Sequence, residues 1–250
     1  MGTIVGIGGG LMAELDNLPI DRAIVDLTGK ERPRALFIPT ASYDSPERWG
    51  TFQGVYGARI GCDADVLWLL DRRPSRDELE DAILSADLVY VAGGNTLKMM
   101  RRWRFLGVDT VLAEAHRRGV VLAGQSAGML CWFAWGHSDS FFYYSPESWD
   151  YVRVRGMGII DAIGCPHFNS ETAGVPRAES FRRMVAKHPE PAIAVDNHCA
   201  IEFTAEGYRL HTARDGVGAY RLFKRQGELV TEALAHSASI TPMATLFGGR

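Results

Sequence analysis

The chain of 250 residues has the composition of an ordinary globular protein, with 46% apolar and 23% charged residues. Its formal net charge is only −3 and it contains no Lys/Arg block, so we expect no nucleic-acid partner. No run of about twenty apolar residues would span a bilayer, and the N-terminus lacks the pattern of a signal peptide. The four cysteines are scattered and form no Cys-x-x-Cys pair. These features predict a cytoplasmic protein with no membrane partner.

Short apolar runs alternate with helical patterns through the first half of the chain. The predicted strands cover residues 3–7, 34–39, 66–70, 88–91 and 120–123. The predicted helices between them cover residues 46–59, 77–84, 96–103 and 108–118. Because the strand runs are almost continuously apolar, we expect strands that are covered on both faces. The alternation of strands and helices predicts a doubly wound α/β sheet.

The C-terminal part has a different pattern. Short strand patterns at residues 193–195, 200–203, 208–212, 219–224 and 229–233 are separated by turn signals. We expect these strands to extend the same sheet or to form an antiparallel edge. No low-complexity linker or internal repeat interrupts the chain, so residues 1–250 are predicted to form one domain. Exposed edges and apolar helices permit a monomer or a homodimer.

The sharpest motif is Gly-Gln-Ser-Ala-Gly at residues 124–128, between a predicted strand and a helical stretch. Gly-x-Ser-x-Gly in this position is the sequence form of a nucleophile elbow, in which a sharp turn exposes the serine hydroxyl. The glycines allow the close backbone approach that the turn requires. The same turn aims the amide of Ala127 at the space in front of Ser126, where it would stabilise a developing oxyanion. The alternative is that Ser126 only caps the helix.

A nucleophilic serine needs a base, and the candidate is His167, in a turn-prone segment after an apolar run. His137 and His198 stay as alternatives. A second oxyanion donor could come from the glycine-rich turn at residues 92–96, because it follows a strand and therefore lies at the carboxyl edge of the sheet. The alternative is an ordinary turn in which Asn95 caps the next helix.

The glycines at residues 6–10 are similar to a dinucleotide-binding loop. However, Leu11 occupies the position of the third glycine, and Asp26, the acidic residue about twenty positions on, lies in no predicted strand. No group of metal-ligating residues has a regular spacing. We therefore predict no cofactor and no metal.

These motifs occur in the order found in the peptidase E (S51) family of serine peptidases, which includes aspartyl dipeptidases and cyanophycinases. The chain resembles this family over residues 4–203. The matching segments are Gly-Gly-Asn-Thr at 93–96, the elbow at 124–128, Asp-Ser at 139–140 and Pro-His-Phe at 166–168, together with residues 8–10 and 37–42. The resemblance implies a mostly parallel, flavodoxin-like sheet akin to that of class I glutamine amidotransferases.

The resemblance also implies roles for individual residues. The implied roles are nucleophile for Ser126, general base for His167, oxyanion donors for Gly94 and Ala127, and substrate contacts for Gly93 and Asn95. Asp139 resembles the acid that family members carry shortly after the elbow. Glutamine amidotransfer is disfavoured because that chemistry uses a cysteine at the position of Ser126.

The third member of the triad is where the sequence departs from the family. Members commonly carry Glu or Asp in a short segment after the histidine, whereas the best alignment puts Asn197 there, directly after Asp196. An asparagine can orient an imidazole but cannot stabilise an imidazolium as a carboxylate does. Asp196 or Asp139 could substitute for the missing acid. Otherwise the enzyme is slow or is tuned to another reaction.

The resemblance implies a peptidase for short peptides, with N-terminal aspartyl dipeptides as the expected substrates. Recognition of aspartate requires a cation, and Arg177 and Arg182 are candidates by position, unless they form a solvated helix face. Residues 143–155 are a candidate lid that limits substrate length. Two alternatives stay open: a cyanophycinase-like isopeptidase for β-linked aspartyl bonds, and a non-catalytic module that binds a small acidic ligand.

Overall fold

The computed structural model describes residues 1–247 of the chain. The elements before the elbow are β1 (Ile4–Ile7), α1 (Leu18–Asp26), β2 (Arg34–Ile38), α2 (Pro46–Phe52), β3 (Asp63–Val66), α3 (Arg76–Leu84), β4 (Leu88–Val91), α4 (Thr96–Leu106), α5 (Val108–Arg117) and β5 (Val121–Gln125). The elements after it are α6 (Ala127–Leu130), β6 (Phe133–Ser138), β7 (Val152–Arg155), β8 (Ile160–Cys165), β9 (Glu171–Thr172), β10 (Val175–Pro176), α7 (Arg177–Ala186), β11 (Ala192–Val195), β12 (Cys199–Phe203), β13 (Gly207–Thr212), β14 (Ala219–Arg225), β15 (Glu228–Ala233), β16 (Thr241–Pro242) and α8 (Met243–Phe247).

Sheet A has the strand order β16-β13-β12-β1-β5-β4-β2-β3. The five strands from β1 to β3 in this order are mutually parallel, and β12, β13 and β16 add antiparallel strands on the other side of β1. Parallel strands need crossover connections, which the helices of the first half provide. The predicted doubly wound, flavodoxin-like α/β fold is confirmed.

Both faces of sheet A are covered, as the continuous apolar strand runs predict. Along β2, Ala35 and Phe37 pack with α1 and α2 on one face, whereas Leu36 and Ile38 pack with α3, α4 and α5 on the other. Successive strand residues point to opposite faces, so a strand between two layers must be apolar throughout. The site is therefore built at the carboxyl ends of strands that the core holds rigidly.

Sheet B has the order β15-β14-β11-β8-β6-β7. The expectation that the C-terminal strands extend the first sheet or form its antiparallel edge is therefore wrong for β11, β14 and β15, which belong to sheet B, whereas β12 and β13 do extend sheet A as antiparallel strands. One face of sheet B shares a core with the α3–α5 side of sheet A, and the other face packs against α7. This shared core explains the aromatic composition of the segment after the elbow, where Trp132 and Phe133 are fully buried.

The third predicted strand is displaced toward the N-terminus, because β3 ends at Val66. The apolar run that follows leaves the sheet: the carboxylate of Asp44 accepts hydrogen bonds from the backbone amides of Leu69 and Leu70, both at 2.7 Å. Leu69 is fully buried against the core, so its apolar character comes from packing and not from a strand.

Two differences from the predicted helices lie in the first half of the chain. Helix α1 was not predicted, and the predicted helix at 46–59 is α2 followed by a wider π-helical segment, Gln53–Ile60. The predicted start of α2 is confirmed, because the Ser45 hydroxyl accepts from the backbone amide of Arg48 at 3.3 Å and Pro46 is the first helical residue. In the described residues, every helix is too short or too polar to cross a lipid bilayer.

Candidate active site

Ser126 lies in the sharp turn between β5 and α6. Its φ of 56° and ψ of −110° are strained for a residue with a side chain. The flanking glycines are sterically required: a Cβ on Gly124 would lie 2.3 Å from the carbonyl oxygen of Gly128, and one on Gly128 would lie 2.1 Å from that of Val91. The amide of Ser126 donates to the carbonyl of Ile7 at 3.0 Å. The turn is therefore locked between β1, β4 and β5.

The structure brings His167 and Asn197 to this serine from two separate loops. His167 Nε2 lies 2.9 Å from Ser126 Oγ, and His167 Nδ1 lies 2.6 Å from Asn197 Oδ1. His167 follows β8 in sheet B and has a positive φ of 53°, whereas Asn197 lies between β11 and β12. The backbone amide of Asn197 donates to Asn169 Oδ1 at 2.9 Å, which fixes the loop that carries it.

This chain of hydrogen bonds specifies one tautomer of the imidazole. Asn197 Oδ1 can only accept, so Nδ1 of His167 carries the proton and Nε2 is free to accept from the hydroxyl of Ser126. Burial, and after it the Arg177 cation, lower the pKa of His167 to about 4, against the opposing effects of the hydrogen bond to Asn197 and of the Asp139 charge. The imidazole is therefore neutral at pH 7, which is the state that a general base requires.

The glycine loop at residues 8–10 holds the histidine and asparagine loops in place. The carbonyl of Gly8 accepts from the amide of His167 at 3.1 Å, and the carbonyl of Gly9 accepts from the amide of His198 at 2.9 Å. A Cβ on Gly9 would lie 2.0 Å from Asn197 Oδ1 and 2.3 Å from His167 Nδ1. Sequence reasoning compared this loop with a nucleotide site and missed this role. The signal was present in three consecutive glycines directly after a buried strand.

Two backbone segments that carry amides free in the described structure approach the serine from different sides. Ala127 is the first residue of α6, so its amide has no partner within the helix. On the other side, a Cβ on Gly93 would lie 3.2 Å from Ser126 Cβ and 3.8 Å from Oγ, which shows how closely the 93–94 turn passes. Gly94 has a φ of +139°, and a Cβ there would lie 2.2 Å from the carbonyl oxygen of Ala41. This arrangement can place two N–H donors around an oxyanion.

Asn95 lies beneath this turn and not on its surface. Its side chain is fully buried, and Oδ1 accepts from the backbone amide of Lys98 at 3.0 Å, which caps α4. Its own amide donates to the carbonyl of Ala41 at 2.8 Å. The structure thus places Asn95 as a support for the 93–94 turn, while Gly93 and Gly94 line the cavity above it.

Asp196 and Asp139 have partners other than the imidazole. Asp196 is 3% exposed and accepts from the amide of Gly218 at 3.0 Å and from the hydroxyl of Tyr220 at 3.3 Å. Burial raises the pKa of Asp196, and these two hydrogen bonds oppose that effect. Asp139 forms an ion pair with Arg177 at 2.7 Å. Of the three candidate third members, Asn197 is the one hydrogen-bonded to His167 in the part of the chain that the structure describes.

Arg177 is buried below the site, and both terminal nitrogens of its guanidinium are hydrogen-bonded, whereas its buried Nε has no partner among the described residues. It is 2% exposed, and besides Asp139 it donates to the Thr172 hydroxyl at 3.1 Å and to the carbonyl of His137 at 3.3 Å. Its Cζ lies 4.6 Å from the centre of the Tyr151 ring. With almost no accessible surface, this guanidinium is placed to fix the hairpin β9–β10 and to influence His167 through its charge.

A cavity of about 590 Å³ opens in front of Ser126. Its wall is formed by the loops after β1, β2 and β4 and by the histidine and asparagine loops. Two aromatic side chains, Tyr43 and Tyr143, stand at the wall with their ring centres 6.3 Å apart, and Tyr143 comes from the segment predicted as a lid. The cavity has the volume of a site for a small ligand or a short peptide.

Comparisons with known proteins agree with this fold. A model of peptidase family S51 matches residues 4–211. The chain is 31% identical over 224 residues to the uncharacterized peptidase YgaJ of Bacillus subtilis, an alignment that covers 89% of this chain and 92% of that protein. A solved peptidase from an acI-B1 actinobacterium superposes with a TM-score of 0.67 at 22% identity, covering 96% of this chain and 97% of that one. A peptidase E candidate from Listeria monocytogenes superposes with a TM-score of 0.63 at 17% identity, covering 85% and 98%.

Proposed function

The chain belongs to peptidase family S51, and we propose that it is a serine peptidase that hydrolyses short peptides, above all dipeptides with an N-terminal aspartate. The observation that carries this proposal is the hydrogen-bonded chain Ser126–His167–Asn197 at the floor of the cavity. A serine hydroxyl becomes nucleophilic when an adjacent base accepts its proton, and a third group must orient that base. In the proposed site Ser126 is the nucleophile, His167 is the base and Asn197 is the group that orients the base.

In the proposed reaction, Ser126 Oγ attacks the scissile carbonyl carbon while His167 Nε2 takes its proton. The amides of Ala127 and Gly94 hold the oxyanion that forms. His167 then gives the proton to the departing amine, and the acyl group stays on Ser126 as an ester. Water, activated by the same imidazole, releases the acid product. Each oxyanion donor is worth about 3 kcal/mol of barrier in comparable enzymes.

The presence of Asn197 where the family commonly has a carboxylate should lower the rate of the reaction. It should not change which atoms give and accept the protons. The oxygen of Asn197 holds the correct tautomer of His167, but it supplies no charge to the imidazolium that forms during attack. We therefore expect a functional but slow peptidase. The lack of a carboxylate is also what favours the alternative of a non-catalytic module that binds a small acidic ligand.

Labelling and turnover separate these functions. The wild-type protein should react with a fluorophosphonate at Ser126 and should hydrolyse members of a panel of α-aspartyl, β-aspartyl and neutral dipeptides, whereas Ser126→Ala should do neither. A preference for β-aspartyl peptides would assign the protein to the isopeptidase alternative. No labelling and no turnover by folded wild-type protein would refute the peptidase proposal and leave the binding module.

A further inference from the structure

The cavity in front of Ser126 carries one charge that nothing in the described structure neutralises. Among the described lining residues, Asp16 and Arg48 are the ones with an Asp, Glu, Lys or Arg side chain. Asp16 forms an ion pair with Arg214 at 2.6 Å and accepts from the amide of Leu11 at 3.0 Å, so its charge is balanced. The cavity is left with the positive charge of Arg48.

The Arg48 side chain is exposed and is not bonded to the rest of the described structure. Within residues 1–247 its guanidinium has no ion pair and no hydrogen bond, and its backbone amide alone contributes to the cap of α2. Arg48 lies in the first turn of α2, where the helix dipole disfavours a cation. The helix dipole therefore gives no reason for an arginine at this position.

The position of Arg48 relative to the reacting atoms indicates which part of a substrate it would meet. In sheet A the order β12-β1-β5-β4-β2 places the serine loop in the middle. His167 packs on the loop after β1, whereas Arg48 belongs to the helix that follows β2. Because the leaving amine must lie beside the imidazole that protonates it, the acyl-donating residue extends toward the opposite side, where Arg48 stands.

We propose that Arg48 is the specificity-determining cation of the site and binds the free carboxylate of the substrate residue whose carbonyl Ser126 attacks. This inference rests on the proposed peptidase function and names the residue that selects its substrate. An arginine binds a carboxylate with two parallel, charge-assisted hydrogen bonds, and a free guanidinium at a cavity wall can adopt that geometry. Arg177, one of the two candidates from sequence, already donates from both terminal nitrogens to Asp139, Thr172 and the carbonyl of His137.

The same chemistry serves both linkages of aspartate. In an α-linked aspartyl peptide the free carboxylate of the acyl residue is its side chain, and in a β-linked peptide it is the main-chain α-carboxylate. In both cases the acyl residue presents one anionic group at a short distance from the scissile carbonyl. If Arg48 binds this carboxylate, the enzyme selects substrates with an acidic acyl residue. The shape of the cavity then determines whether the α- or the β-linkage is preferred.

The test compares aspartyl-leucine with asparaginyl-leucine, two dipeptides of nearly equal size that differ in the charge of the acyl residue. Arg48→Gln should raise KM for aspartyl-leucine by about 10- to 100-fold, the range expected for lost charge-assisted hydrogen bonds, and should change KM for asparaginyl-leucine by less than about 2-fold. Arg48→Lys should recover part of the loss because it keeps the charge. Arg59→Gln, an exposed arginine on the π-helical segment outside the cavity, is the matched control and should behave as wild type.

Binding provides a second readout that does not depend on turnover. Calorimetry of aspartyl-leucine with Ser126→Ala and with the double variant Ser126→Ala/Arg48→Gln should show the same loss of affinity. An unchanged affinity for aspartyl-leucine, or an unchanged ratio of the KM values for the two dipeptides, overturns the assignment of Arg48. In that case, fluorophosphonate labelling of the wild type shows that the proposed peptidase function survives. If the effect of Arg48→Gln disappears on a C-terminally amidated peptide, Arg48 binds the leaving residue instead, which also overturns the proposal. Wild-type protein that is neither labelled nor active refutes the peptidase function, and calorimetry still decides the role of Arg48.

Discussion

Replacement of Asn197 by aspartate tests whether the missing carboxylate limits the proposed peptidase. In the wild type, the pKa of His167 is lowered from 6.5 to about 4. This corresponds to about 3 kcal/mol against forming the imidazolium that the attack of Ser126 requires. Asn197→Asp puts a negative charge where Oδ1 now lies, 2.6 Å from Nδ1 of His167. A carboxylate at that distance raises the pKa of a histidine by about 1 to 3 pH units.

Two consequences follow for the activity of Asn197→Asp. The turnover number should rise, because the added carboxylate stabilises the imidazolium that forms in the transition state. Each pKa unit of this stabilisation that is present in the transition state corresponds to a rate increase of about 10-fold. Because His167 acts as a base only when neutral, activity is lost as the pH falls through its pKa. We expect the acidic limb of kcat/KM near pH 4 for the wild type, because the pKa of His167 is lowered to about 4, and the limb should move toward neutral pH in the variant.

The assay is the rate of dipeptide hydrolysis across the range from about pH 3 to pH 9, where the free-enzyme profile reports the pKa of the base. Asn169→Asp is the matched control. Asn169 Oδ1 accepts from the backbone amide of Asn197 and is not bonded to the imidazole, so this substitution adds the same charge near the site but not on the hydrogen-bond partner of His167. A folded Asn197→Asp variant with a slower rate and an unmoved acidic limb would refute the reasoning. It would mean that the amide group itself is required.

Three further substitutions test the packing of the site and of the core. Gly9→Ala would place a methyl group 2.0 Å from Asn197 Oδ1, so kcat should fall by about 100-fold or more through displacement of the imidazole. Gly94→Ala strains a φ of +139° and meets the carbonyl of Ala41, so kcat should fall by about 10²- to 10³-fold as an oxyanion donor moves. Burial raises the pKa of Asp21 to about 7, and the Tyr56 hydroxyl, which donates to it at 2.8 Å, opposes this effect. The folded state therefore holds a proton that the unfolded state releases between about pH 4 and pH 7, and stability falls as the pH rises through this window. Asp21→Asn should raise the free energy of unfolding by up to about 4 kcal/mol above pH 7 and should have little effect below about pH 4.

Matched controls separate these effects from the substitutions themselves. Gly50→Ala introduces a methyl group into open space on α2 and should leave kcat unchanged. Asp26→Asn removes an exposed carboxylate at the end of the same helix as Asp21 and should not change the pH dependence of urea denaturation. A wild-type rate for Gly9→Ala would show that the glycine loop does not position the imidazole. A stability gain for Asp21→Asn that is independent of pH would show that Asp21 is not protonated on folding.

Local patterns in the sequence determined the strand–helix order from β2 to β5, the cap of α2 at Ser45 and the position of the elbow at Ser126. These features depend on neighbouring residues: continuous apolar runs, a serine before a proline, and glycines around a turn. The same local reading failed at residues 66–70, because Leu69 is apolar for packing and not for strand formation. It also failed for sheet B, since the short strands of the two sheets have the same pattern.

Which side chains meet at the site was decided only by the tertiary structure. His167 and Asn197 lie 30 positions apart in the chain and are hydrogen-bonded in the fold. Gly9, which is far from both in sequence, packs directly against them. The two arginines show the same dependence: Arg177 follows the histidine in sequence but is buried against Asp139, whereas Arg48, which is part of no segment that resembles the family, lines the cavity without an ion pair in the described structure. A side chain's charge is visible in the sequence, but whether a partner already neutralises it depends on contacts between distant segments, which only the folded chain makes.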